Sequence, residues 1–128
     1  MPGARPPKRL TILGATVAAF GLLLAGCGHT ATVGSDRTLR VALTEYRVVP
    51  QKVQVSAGVL TIFVHNDGKM THNLAITEGK NRVVVTPAIW PGATTKLSVA
   101  LAPGSYTIGS TLFSDQALGQ YGSLTVTR

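Results

Sequence analysis

The chain reads as an all-β, two-sheet sandwich of roughly seven or eight strands in a single domain. Three features point to it. From Leu39 onward the sequence is a succession of short β-branched runs separated by Gly, Pro and Asn, which is how an antiparallel sandwich or barrel is written. No segment in that region keeps an apolar period of 3.6 residues long enough to make a core helix. The 128 residues are 45% hydrophobic and 13% charged, too apolar for a disordered chain and sufficient for one core.

The elements follow in order. Arg5, Lys8 and Arg9 form a basic run, and Leu10 to Ala25, LTILGATVAAFGLLLA, contains no charged residue. A basic start followed by an apolar stretch is the plan of a secretion signal. A spanning helix needs about 20 consecutive apolar residues, whereas this stretch is shorter and is broken by Gly14, Thr16 and Gly21. It ends in Leu24-Ala25-Gly26-Cys27, which resembles the lipobox of bacterial lipoproteins. That resemblance implies a signal peptide over residues 1–26, a diacylglycerol thioether on Cys27, and a domain anchored to a membrane without spanning it. Cys27 is the only cysteine, so it has no disulfide partner. Residues 27–37, small and polar with His29 among them, are expected to form a flexible tether, leaving 38–128 as the folded domain.

Within the domain, Leu39 to Thr44 is a first strand with Leu39, Val41 and Leu43 on one face. Val53 and Val55 alternate with Lys52, Gln54 and Ser56, and Ala57-Gly58 turns the chain into Val59 to His65. There Leu60, Ile62 and Val64 share one face, with Thr61, Phe63 and His65 on the other. Asn66-Asp67-Gly68 supplies turn chemistry. Asn73 to Thr77 and Val83 to Thr86 follow, then Thr95 to Leu101 with Leu97, Val99 and Leu101 in register. Pro103-Gly104 leads into Tyr106 to Ser110, and Gly122 to Thr127 closes the chain with Leu124 and Val126 inward.

Charge excludes one class of partner. Of 12 Lys and Arg, three lie in the leader, so the remainder of the chain carries nine cations against five Asp and Glu, a formal +4. They are spread singly from Arg37 to Arg128, without the clustered stripe and interleaved aromatics of a nucleic-acid binder. Mild attraction to anionic lipid headgroups accounts for them.

The order of motifs resembles the cupredoxin family of small Greek-key copper proteins. The resemblance rests on Tyr46 and Pro50 before Val53-x-Val55, Ala57-Gly58, Phe63-x-x-Asn66-x-Gly68, His72-Asn73-x-x-Ile76, Pro91-Gly92, Ala102-Pro103-Gly104-x-Tyr106 and Gly119-x-x-Gly122-x-Leu124-x-Val126. It implies a Greek-key sandwich over about residues 38 to 128. It also implies where a blue copper site would lie: a first His at His72, the Cys at Ser110, the second His near Asp115 and the axial ligand at Gln120. Three of those four positions have changed. Gln is acceptable as a weak axial oxygen ligand, but the thiolate is absent. A type 1 centre is therefore not expected, and neither is the electron transfer that depends on it.

Other chemistries remain open to these residues. His65, Met70 and His72 flank the segment HNDGKMTHN, and imidazole with thioether suits Cu(I). A copper-handling site would use His72 and Met70, completed by His65, Asp115 or Gln120. His72, Ser110 and Asp115 are also the residue types of an acyl-transfer triad, but no nucleophile-elbow pattern frames Ser110 and catalysis is not expected. Trp90, the only Trp, is expected as a partly buried loop anchor. Phe113, with Leu112, Leu118 and Tyr121, is expected to fill the pocket that copper would take. The function this supports is a monomeric, exported, lipid-anchored binding or accessory module of the cell envelope, periplasmic or facing outward. It would carry no cofactor and bind no nucleic acid, and would present a loop surface to an exported protein partner or a small ligand. Copper binding is the alternative, and a hydrolase the third.

Overall fold

The computed structural model describes residues 3–4, 29–113 and 115–128. Cys27, the lipobox and the leader, including the hydrophobic stretch, lie outside the described residues. Ten strands form two sheets: β1 (Ala31–Thr32), β2 (Thr38–Thr44), β3 (Arg47–Val49), β4 (Lys52–Ser56), β5 (Gly58–Asn66), β6 (Ala75–Glu78), β7 (Asn81–Val85), β8 (Thr94–Leu101), β9 (Gly104–Gly109) and β10 (Tyr121–Thr127). One sheet runs β1-β4-β10-β9-β6-β7 and the other β3-β2-β5-β8. The β1/β4, β4/β10 and β2/β5 pairs are parallel and the rest antiparallel. Among the described residues no helix is long and apolar enough to cross a membrane.

The alternating faces close on one core. Leu39, Val41 and Leu43 of β2 and Leu60, Ile62 and Val64 of β5 meet Val53, Val55, Ile76, Ile108, Leu124 and Val126 from the other sheet. Each of these side chains contributes roughly 1.5–3 kcal/mol on full burial. Leu101 is buried as expected, whereas Leu97 and Val99 on the edge strand β8 are only partly covered. Among the described residues the core runs from Val33 to Val126, and both sheets close on it within residues 29–128.

All eight expected strands are present, and two short ones were not anticipated. β3 pairs with the end of β2 after a two-residue turn, too short to announce itself by periodicity. β1 falls within the expected tether. Ala31 and Thr32 pair with Val53 and Gln54, and Val33 packs on the core. Arg37 then grips the turn before β5, donating to Ser56 O at 2.7 Å and Val59 O at 3.0 Å. Residues 31–37 are thus held against the sandwich, because the open edge of β4 offers them backbone partners.

Register brings the functional loops to one end. Leu43 is level with Asn66 and His65 with Thr94 in one sheet, and Tyr121 and Ala75 are both level with Gly109 in the other. The connections 45–46, 67–74, 86–93 and 110–120 all lie there.

Val64 is fully buried and His65, its neighbour on the opposite face, is part-exposed. Val64→Asp should therefore cost about 4 kcal/mol or more, and His65→Ala less than about 1 kcal/mol, in thermal or urea melts. Similar small effects from both would contradict the assignment of faces.

Candidate functional site

The loop end is organised by two asparagines. Asn66, at the close of β5, donates through Nδ2 to Met70 O and Ile89 O at 2.8 Å each and accepts from Gly68 N at 2.9 Å. This is the local bonding that Asn offers a turn. Asn73 reaches across to the loop after β9, accepting from Thr111 N at 2.8 Å and donating to Thr111 Oγ1 at 3.0 Å. Between them His72 is pinned by a two-way backbone bridge to Ile89, and its ring is 1% exposed.

His72 is where the polar groups converge. Its Nδ1 lies 2.9 Å from Asp115 Oδ2. An ionised carboxylate only accepts, so this nitrogen carries the ring proton in that pairing. On the other side Nε2 faces Glu45 Oε1 at 3.5 Å and has no hydrogen-bond partner. Glu45 is itself committed to the loop, accepting from Lys69 N at 2.5 Å and Met70 N at 2.9 Å. Its carboxyl is held below the ordinary value chiefly by the Met70 N–H, with the Lys69 N–H and the His72 ring adding to the effect against partial desolvation. Gly68 makes room for this packing: a Cβ there would collide with the Glu45 carboxylate and come 3.1 Å from His72 Nε2.

The other expected site residues divide. Asp115 is buried and bonded to His72. Ser110 Oγ takes two backbone N–H groups, Asn73 and Leu112, at 3.3 Å each. Gln120 accepts Asp115's company through its backbone, Gln120 N donating to Asp115 O at 2.9 Å, and its side-chain Nε2 donates to Thr44 O. Its Oε1 is buried without a partner. His65 is not part of this cluster. It sits on the opposite face of β5 from Asn66, with Nδ1 2.7 Å from Thr94 Oγ1 and Nε2 3.1 Å from Asp67 Oδ1. Met70 is tied in through its backbone, with a side chain 45% exposed.

Two expectations need correction, and one residue is added. Phe113 does not fill the pocket; it is 72% exposed, with Leu118 and Tyr121 also outside, and hydrogen bonds rather than apolar packing occupy the centre. Trp90 is 69% exposed, so it is no buried anchor. Ser110 makes no bond to His72, whose free nitrogen faces Glu45, so the three side chains are not arranged as a nucleophilic triad. Glu45 was not foreseen, since a single acid at a strand end carries no motif.

Among the described residues no three His, Cys, Asp or Glu side chains are grouped to hold a metal ion. The thiolate and second imidazole that a type 1 copper needs are replaced by a hydroxyl bonded to backbone and by a carboxylate, and that carboxylate is bonded to the His72 ring, so the donor set does not fit that centre.

Because Glu45 has its pKa lowered on folding, the stability it supplies is full above the ordinary carboxylate pKa of 4.5 and is lost as pH falls through the lowered value. Melting midpoints of the wild type and Glu45→Gln should therefore differ at neutral pH and converge in acid. A difference that does not shrink would show that the carboxylate charge is irrelevant to the loop.

A cupredoxin-like domain family model matches residues 16–126. No curated protein matches the chain in sequence. Among solved structures, auracyanin from the photosynthetic bacterium Roseiflexus castenholzii superposes with a TM-score of 0.66 at 21% identity, covering 74% of this chain and 100% of that one. Auracyanin A, a "blue" copper protein from Chloroflexus aurantiacus, gives 0.62 at 19%, covering 76% and 100%. The metal-binding domain of the Streptococcus pneumoniae D39 Cu(I)-exporting P-type ATPase CopA, solved with Cu(I), gives 0.61 at 16%, covering 80% and 100%. At these identities the likeness speaks for the fold, and with the family match over most of its length the chain belongs to the cupredoxin-like domain family.

Proposed function

We propose that this chain is an exported, lipid-anchored cupredoxin-like module that binds a partner at the cell envelope and has no type 1 copper centre. The observation that carries the reading is the use of the ligand positions for internal bonding: Asp115 takes His72 Nδ1, Ser110 Oγ takes two backbone amides and Gln120 reaches Thr44. The bonds His72–Asp115, Asn73–Ser110 and Gln120–Thr44 each join segments far apart in the chain, so the polar groups stabilise the loop end as a fixed surface. The lipobox residues Leu24 to Cys27 support anchoring through Cys27, and the basic, apolar leader before them supports export. Among the described residues Ser110 has no bond to His72, as a hydrolase nucleophile would need, and the role proposed is non-catalytic.

A second reading has one specific observation in its favour. His72 Nε2 is buried, unpartnered and 3.5 Å from the Glu45 carboxylate. An imidazole and a carboxylate are ligands for a divalent ion, and Met70 on the same loop would add a thioether for Cu(I). His65 takes no part, because its side chain is on the other face of β5.

Titration with Cu(II), and with Cu(I) under reductant, should give no intense thiolate charge-transfer band and no tight one-to-one binding. Tight binding lost in His72→Ala would establish the second reading; an intense blue band would overturn both. Separately, Cys27→Ser should move the protein from the membrane to the soluble fraction of expressing cells. Membrane retention of that variant would contradict lipid anchoring.

A further inference from the structure

We propose that the loop end of the sandwich docks into the membrane interface, with Trp90, Phe113 and Leu118 inserted among the lipid headgroups. This deepens the anchored role proposed above and rests on it for the position of the anchor, while the surface itself is a separate observation.

Exposed large apolar side chains are concentrated on this end. Tyr46, Met70, Trp90, Phe113, Leu118 and Tyr121 all lie in or beside its four loops, Trp90 and Phe113 being more than two-thirds exposed. Of the others, Val59 lies singly at the far end beside Gly58, and Val49 and Val83 lie singly on the edge strands β3 and β7. Tyr46 and Phe113 are also held at φ 65° and 48°, a region unfavourable for aromatic residues, so the fold maintains strained backbone while presenting both rings to the outside. Patches of this kind on a soluble domain mark a contact surface.

Charge and chain direction identify the occupant as a lipid surface. Arg47, Lys52 and Lys69 are exposed around the loops. The carboxylates nearby are engaged: Glu45 with two loop amides, Asp67 with His65, Asp115 with His72. Trp and Tyr with a fringe of Lys and Arg is the composition of a membrane-interface surface facing anionic headgroups. The chain also enters from this side. β1 runs parallel to β10, away from the loops, and Ala31 is level with Val53 and through it with Leu124, three residues below Tyr121. That depth is about 10 Å at 3.3 Å per residue. Three residues lie between Cys27 and Ala31, so the four steps of chain reach at most about 14 Å. That reach is long enough for a lipid on Cys27 to come level with Tyr121 at the loop end, and a bilayer holding it there would meet that end of the sandwich first.

Trp90 is the only tryptophan in the chain and reports directly. The full chain would be reconstituted in phosphatidylcholine–phosphatidylglycerol vesicles, with and without lipids brominated on their acyl chains. Trp90 emission should shift to the blue and be quenched by the brominated lipid, and Phe113→Ser with Leu118→Ser should reduce that quenching by about fivefold or more. Val59→Ser should leave it unchanged. Protein that sediments with vesicles while Trp90 stays unquenched and open to aqueous iodide would overturn docking, leave anchoring intact and assign this end to a protein partner. If the full chain does not sediment with vesicles, the anchoring reading falls, and residues 29–128 on the same vesicles decide docking: quenching upholds it and no quenching overturns it.

Discussion

The contact between His72 Nδ1 and Asp115 Oδ2 joins the loop after β5 to the loop before β10, and with them the two sheets at one end of the sandwich. Its neighbours are arranged around it. Glu45, at the end of β2, faces the other ring nitrogen and holds the Lys69 and Met70 amides, while Gln120 returns from Asp115 to Thr44 beside Glu45. The result is a closed circuit of polar contacts over an apolar core. Burying an imidazole and a carboxylate is costly, and their attraction offsets that cost only while both are present; losing one partner of such a pair costs about 3–5 kcal/mol.

That arrangement separates this domain's chemistry from its fold. The sandwich needs only inward Val, Ile and Leu on matching registers, and it superposes on copper proteins at 16–21% identity. A metal centre needs particular atoms left uncommitted. Here one nitrogen of the His72 ring is used by Asp115, and Ser110 Oγ is used by backbone amides. The loops at this end are bonded to one another. Their outer surface, bearing Trp90 and Phe113, is what they offer to the surroundings.

Most of the fold was legible because burial alternates with the strand period. Leu39, Val41 and Leu43, or Leu60, Ile62 and Val64, can be assigned to a face without any tertiary information. β1 and β3 were not legible: two or three residues show no period, and both form because a neighbouring strand leaves backbone groups to pair. At the site, His72, Asp115 and Gln120 could be placed by motif spacing, and His72 and Asp115 do meet. The exclusion of His65 follows from one position of offset, since a step along a strand reverses the face. Glu45 was invisible because its role depends on β2 ending opposite the 67–70 turn. Trp90 and Phe113 stand against the expectation that hydrophobicity favours burial: both lie in loops and are exposed, Phe113 at a positive φ.

The tautomeric state of His72 tests the account most directly. Long-range proton–nitrogen NMR on nitrogen-15-labelled protein, free of metal and then with one equivalent of copper in either oxidation state, reads both ring nitrogens separately. The prediction is a protonated Nδ1 with a downfield proton shared with Asp115, unchanged by copper. An unprotonated Nδ1 in the metal-free protein, or its loss of the proton on adding copper, would contradict the claim that this ligand position is committed to Asp115.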